Sequence, residues 1–264
     1  MSNRRGKTTA ILQARMTSSR LPGKVLKPIE REPMLIRPLE RIGRAATLDQ
    51  IVVATSFDPS DDALVEVLTQ HQIDFVRGPL SDVLARYMRV ADQYLPDVIV
   101  RLTGDCPLTC PEVIDAVVQH FHESDADYAS NTLDPTYPDG LDVEVVTTAA
   151  LRAVSAATDD PHEREHVTLG VYRRDSHFRL SNYSDPTGLN HSDLRWTVDD
   201  AEDFEFVSHV YQSLLPRNSH FGYREILRCL EENPALNRTR RHGARNAALD
   251  GLDTGAMDHR GRSH

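Results

Sequence analysis

Seven Lys or Arg and no Asp or Glu fall within the first 29 residues of a chain whose net charge is −10. From Ala10 to Lys24 an apolar, strand-like run empties into a loop carrying Arg15, Arg20, Gly23 and Lys24. Two guanidinium forks, an ammonium, the small hydroxyls of Ser18 and Ser19 and a glycine for close backbone approach suit a polyphosphate. A basic, glycine-containing loop just after a strand is also where α/β proteins hold phosphate. A Walker A loop would need glycine at Ser18 and Ser or Thr at Val25, and no GxGxxG is present, which disfavours a dinucleotide site.

A second candidate is Val100-Arg-Leu-Thr-Gly-Asp-Cys-Pro107, in which a β-branched run ends in Thr103-Gly104-Asp105. That spacing sets Asp105 just past the carboxyl end of a strand, the edge at which open α/β sheets bind ligands. A carboxylate facing a polyphosphate needs a cation between them, and Mg²⁺ takes one or two carboxylates plus phosphate oxygens and water. The third is Trp196-Thr-Val-Asp-Asp-Ala-Glu-Asp-Phe204. Asp199 or Asp200 would cap a helix, and capping accounts for Asp200, Glu202 and Asp203; a second strand-end carboxylate is what a metal site shared with Asp105 would require. Cys106 and Cys110 are spaced CxxxC with no second pair nearby, which argues against zinc. His162 and His166 lie four apart without an HExxH pattern and are expected to face substrate or to be structural.

These residues need a scaffold. Strand-like runs at Thr8 to Ala14, Ile51 to Thr55, Asp74 to Val76 and Asp97 to Arg101 alternate with helical patterns near 33–45, 60–71 and 82–94. Such alternation implies βαβ units and a mostly parallel sheet. Pro38 should kink or interrupt the first helix. A helix over 111–122 and a strand over 127–130 follow. Residues 131–195 then read as a turn-rich excursion with strands near 141–146 and 178–182 and helices over 148–158 and 163–173, closing over the sheet or mediating dimerisation. Helices over 200–214 and 222–232 complete the pattern. The domain is expected to span 8–232, between a flexible N-terminus of residues 1–7 and a disordered tail over 233–264.

The acidic balance opposes general nucleic-acid binding but not one anion at the basic loop, since distant charges are screened beyond roughly 10 Å. No 18-residue apolar run or signal-peptide core is present, so a cytoplasmic protein with no membrane span is expected. Three cysteines imply no disulfide framework.

In this order the motifs resemble the cytidylyltransferase family that includes CMP-Kdo and CMP-sialate synthetases, above all its spore-coat-polysaccharide branch. Gln13 to Lys24 looks like the signature nucleotide loop, and Arg101 to Pro107 resembles the metal-bearing Gly-Asp-x-Pro. Further matches are Asp82-Val-Leu-Ala-Arg-Tyr87, Ser130-Asn-Thr132, Tyr137-Pro-x-Gly-Leu-Asp-Val-Glu144, Arg164-Glu-His-Val167 and Thr197 to Phe204. The resemblance implies a Rossmann-like nucleotide-diphospho-sugar transferase fold, a homodimer, and Mg²⁺-dependent transfer of CMP from CTP to a small anionic acceptor with release of pyrophosphate. It implies catalytic roles for Arg15, Lys24 and Asp105, with Mg²⁺ on Asp105 and Asp199. Ser19, Arg20, Gly23, Thr103 and Gly104 would complete the nucleotide site, while backbone groups of Leu12, Gln13 and Ala14, together with Arg86, would meet base and ribose. Asn131, Asp142, Glu144 and His166 are the acceptor-site candidates, for a sugar acid or a phosphonate- or phosphate-bearing molecule. Alternatives are use of GTP, a glycosyltransferase, whose usual Asp-x-Asp is missing here, or a non-catalytic nucleotide-binding protein.

Overall fold

A computed structural model describes residues 6–236; the expectations for residues 1–5 and for the tail from 237 onward lie outside the described residues. Strand β1 (Thr8–Gln13) leads through a loop and a hairpin, β2 (Pro28–Ile29) and β3 (Glu32–Pro33), into helix α1 (Ile36–Ile42). There follow β4 (Gln50–Ser56), α2 (Asp62–Gln70), β5 (Phe75–Gly78), α3 (Val83–Tyr94), β6 (Val98–Thr103) and α4 (Pro111–Glu123). The rest comprises β7 (Tyr128–Ser130), β8 (Glu144–Thr147), α5 (Thr148–Ala157), α6 (Pro161–Glu165), α7 (Leu169–Tyr172), β9 (Leu180–Asn182), α8 (Ala201–Leu214) and α9 (Tyr223–Glu232).

Seven strands form one sheet in the order β5-β4-β1-β6-β8-β7-β9. β1 pairs parallel with β4 and β6, and β4 parallel with β5, whereas β8 runs antiparallel to β6 and β7. The chain winds outward from β1 through β4 to β5 and then returns to β6 on the other side. The carboxyl ends of β1 and β6 therefore flank a topological switch point, where a crevice opens.

Side-chain alternation explains why the central strands read as continuous apolar runs. Ala10, Leu12, Val53, Val100 and Leu102 pack beneath α1, α2, α4, α8 and α9. Their neighbours Ile11, Val52, Ala54 and Ile99 face α3, α5 and α7 on the opposite side. Both faces are covered, as a parallel sheet demands. Among the described residues no helix is long and apolar enough to cross a membrane, and all three cysteines are free and buried.

Three expectations need correcting. Pro38 does not kink a helix: the hairpin takes up Pro33, α1 starts at Ile36, and Pro38 falls in its first turn, where an N–H has no helical partner to lose. The expected helix over 163–173 is two short ones, because Val167 adopts a left-handed φ of 46° between α6 and α7. The excursion over 131–195 is no separate flap; β8 and β9 belong to the central sheet. Beyond Asn233 the described chain makes one further 3₁₀ turn, Pro234–Leu236, with Leu236 against the core.

One glycine seats the loop before β8. Asp139 accepts from Trp196 N at 2.7 Å and donates its own N–H to Leu194 O at 3.0 Å, laying the two segments side by side. Gly140 sits at φ 109°, and a Cβ there would lie 2.9 Å from the Trp196 carbonyl carbon. Gly140→Ala is expected to cost about 1–3 kcal/mol through this strain, seen as a Tm lowered by several degrees. An unchanged Tm would contradict this placement.

Candidate active site

Gly104 donates its N–H to Gln13 O at 2.9 Å, so β6 leaves the sheet level with β1 and their outgoing loops face each other. The β1 loop is fixed from below. Asp61, fully buried at the end of the 3₁₀ turn before α2, accepts from Met16 N at 2.6 Å through Oδ1. Its Oδ2 accepts from Thr55 Oγ1 and Ser56 N, each at 3.0 Å, and from Ser56 Oγ. Gly23 closes the loop with its N–H to Met16 O at 3.0 Å and a φ of 70°, a conformation glycine adopts without penalty. Lys24 then turns inward to 8% exposure.

Three chain segments meet at the Lys24 ammonium. Nζ donates to Val198 O at 2.6 Å, to Asp105 Oδ2 at 3.4 Å and to Asp199 Oδ1 at 3.3 Å. Val198 N donates to Asp105 O at 2.8 Å, binding the two acid-bearing segments to each other. Asp199 also pairs with Arg20 at 3.0 Å and with Arg195. Burial pushes the Asp105 carboxyl upward, but the neighbouring Lys24 ammonium and the Thr103 hydroxyl outweigh it and hold the pKa below its ordinary value. The acids after Asp199 do cap α8: Asp200 accepts from Asp203 N at 2.9 Å, and the Asp203 carboxylate accepts from Asp200 N and grips Arg195 with both oxygens.

Above these groups lies a cavity of about 750 Å³. Gln13, Ala14, Arg15, Ser19, Arg20, Lys24, Arg86, Thr103, Gly104, Asp105, Asp199 and His166 all line it, as the sequence reading requires of one site. The motif containing Arg86 is explained by its contacts. Asp82 caps α3 at Ala85 N and also binds Arg164 Nε at 2.6 Å, which fastens α6 to α3. Arg86 points back toward the sheet, 2% exposed, with Nη2 on Leu80 O at 3.3 Å, and Tyr87 donates its hydroxyl to Ile11 O at 3.2 Å.

Other candidates lie away from the cavity lining. The Leu12 side chain is in the core, and Gly23 shapes the loop rather than facing the cavity. Asn131 is fully buried; its Nδ2 donates to Leu141 O at 2.8 Å and its Oδ1 accepts from Val143 N at 2.9 Å. That amide copies a strand partner for the chain entering β8. Asp142 is half-buried on the same segment. Glu144 is buried under the floor, accepting from Arg101 Nη1, Thr168 Oγ1 and Tyr128 OH, the last at 2.8 Å.

Sequence reasoning missed Asp61, Arg101, Glu165 and Arg195. Asp61 lay within the helical pattern near 60–71. Arg101 and Glu165 lay inside recognised motifs without a role, although a lone Arg within a β-branched run is a signal. Glu165 stands 3.8 Å from Arg15, so each of the loop's three cations has a carboxylate beside it.

Fold and site together define a nucleotide-binding α/β enzyme whose basic loop faces two carboxylates, one past the end of β6 and one just before α8. Residues 9–237 match the family model described as cytidylyltransferase, and the chain belongs to that family of nucleotidyltransferases. It is 34% identical over 232 residues to the spore coat polysaccharide biosynthesis protein SpsF of Bacillus subtilis, covering 85% of this chain and 94% of the relative. A 3-deoxy-manno-octulosonate cytidylyltransferase from Solibacter usitatus is 33% identical over 203 residues, 69% of this chain and 77% of the relative. A cytidylyltransferase structure from Leptospira borgpetersenii superposes with a TM-score of 0.82 at 30% identity, covering 89% of this chain and 99% of that one.

The His166 ring supplies a pH test. Burial, then the nearby Arg101 charge, lowers its pKa from 6.5. The unfolded chain therefore takes up a proton, as pH falls through the ordinary imidazole range, that the folded chain refuses, and stability drops with it. In His166→Gln the fall in unfolding free energy between pH 7.5 and 5.5 should be shallower, as measured by urea titration. An unaltered slope would contradict the assignment.

Proposed function

We propose that this enzyme transfers CMP from CTP to a small anionic acceptor, a sugar acid or a related phosphonate- or phosphate-bearing molecule, and releases pyrophosphate. The observation that carries the reading is the convergence of the basic β1 loop, Asp105 and Asp199 on one cavity at the switch point. An acceptor oxygen attacks the α-phosphorus of CTP. A new P–O bond forms, the bond to the bridging oxygen of the β-phosphate breaks, and pyrophosphate leaves with that electron pair. Such transfers depend on positioning and charge neutralisation more than on covalent help from the protein.

In this reading Arg15, Arg20 and Lys24 hold the triphosphate, while Ser19 and the backbone of Gln13 and Ala14 bound the nucleotide. Arg86 lies on the β4–β5 side of the cavity, where base and ribose would lie. His166 and the β6–β8 side remain for the acceptor. A divalent cation fits the carboxylate pair: two hard oxygen donors already converge on a single positive charge, the Lys24 ammonium, which stands where a cation is needed. Mg²⁺ held by Asp105 and Asp199 would supply neutralisation of phosphate charge there. Glu165, Asp199 and Asp105 neutralise Arg15, Arg20 and Lys24, and nucleotide phosphates would compete for the same cations.

Calorimetric titration with CTP, GTP, ATP, UTP and UDP-glucose, each with and without Mg²⁺, tests the donor. Tight, Mg²⁺-dependent binding of CTP is expected, and preference for UDP-glucose or silence from all five would overturn the proposal. Asp105→Asn should lower turnover by on the order of 100-fold and weaken the Mg²⁺-dependent part of CTP binding, with the Tm retained. Full activity in that variant would remove Asp105 from the site.

A further inference from the structure

We propose that Arg101 is the receptor for the acceptor's carboxylate and that Glu144 acts as a positioning residue behind it. This rests on the cytidylyltransferase reading above and adds to it the group that selects the acceptor. Arg101 and Glu144 are directly opposite each other on β6 and β8, so their side chains rise from the same face of the sheet. Arg101 lines the cavity. Its Nη1 donates to Glu144, while its Nε has no hydrogen-bond partner.

A buried ion pair contributes little to stability on its own, because desolvation offsets the Coulomb attraction. This one is built more elaborately than a structural pair requires. Tyr128 and Thr168 both donate hydroxyls to Glu144 Oε2, leaving Oε1 to Arg101. Three elements thus fix the carboxylate, and the carboxylate fixes the guanidinium at the cavity wall. Burial works against the Arg101 charge, but Glu144 more than offsets it and Arg101 stays charged.

Position and charge count decide what Arg101 receives. Arg15, Arg20 and Lys24 cluster at the mouth of β1, beside Asp105 and Asp199. Arg101 lies two residues deeper than Thr103 on β6, joined across the strand pair to Glu144 of β8 and with Tyr87 of α3 beside it. The imidazole of His166, held below its ordinary pKa, adds no charge there at pH 7. One guanidinium partly neutralised by Glu144 suits a monoanion; a dianionic phosphate would meet Glu144 and Glu165 with less compensation. The planar fork of Arg matches a carboxylate in a way an ammonium does not.

The test uses the protein loaded with CTP and three probes: 3-deoxy-manno-octulosonate, its methyl ester, and glucose 1-phosphate. Wild type should bind the sugar acid well above the other two. Arg101→Met should weaken sugar-acid binding by roughly 30-fold while CTP affinity is unchanged, and Arg101→Lys should restore part of the loss. Glu144→Gln should raise KM for the sugar acid more than it lowers kcat. Equal binding of the acid and its ester, tighter binding of the phosphate, no sugar-acid binding by CTP-loaded wild type, or an Arg101→Met variant that matches wild type would each overturn the proposal. Failure of wild type to bind CTP would instead overturn the underlying reading. Should Arg101→Met misfold, Arg101→Lys and the methyl ester decide the matter alone.

Discussion

The Lys24 ammonium lies between two carboxylates that come from residues 105 and 199, and it also closes on the Val198 carbonyl. An 8%-exposed cation must be compensated, so the loop after β1, the end of β6 and the strand-like approach to α8 have to arrive at one point. Much of the remaining architecture answers that demand. Asp61 braces the loop from beneath, the Val198–Asp105 backbone bond joins the two acid segments, and Arg195 braces Asp199 from the α8 cap. The charges are arranged in advance, which is what transfer at a phosphorus centre asks of a protein.

The nucleotide half of this arrangement was legible in the sequence because it is local. Loop, strand end and helix cap each announce themselves within about ten residues, and the parallel sheet delivers them to one edge. The run of acids after Val198 was legible as a helix cap, and the structure decides which member does what: Asp200 and Asp203 satisfy each other, and Asp199 faces the loop.

The β6–β8 side of the cavity was less legible because its partnerships cross the sheet. Asn131 looks like a ligand residue in a turn-rich stretch, yet its amide is consumed by the backbone at 141 and 143. Glu144 is seen as a floating carboxylate until β8 is known to pair antiparallel with β6 in register with Arg101. No periodicity foretells that pairing, since β8 has only four residues and follows an irregular loop. The break at Val167 was hidden for a similar reason: 163–173 is helical by composition, and the Thr168–Glu144 bond that accompanies the interruption comes from another strand.

An antiparallel strand within a parallel sheet has a consequence of its own. β8 brings its first residue, not its last, to the edge where β6 ends, so Glu144 is set by sheet register and not by the path that leads to it. The stretch from 131 to 143 answers to that register in turn: Asn131 ties its two ends together and Asp139 fastens its middle to Leu194 and Trp196. Because the segment fastened at Leu194 and Trp196 runs on to Val198 and Asp199, the placement of one antiparallel strand bears both on the floor of the cavity and on the second carboxylate at its mouth.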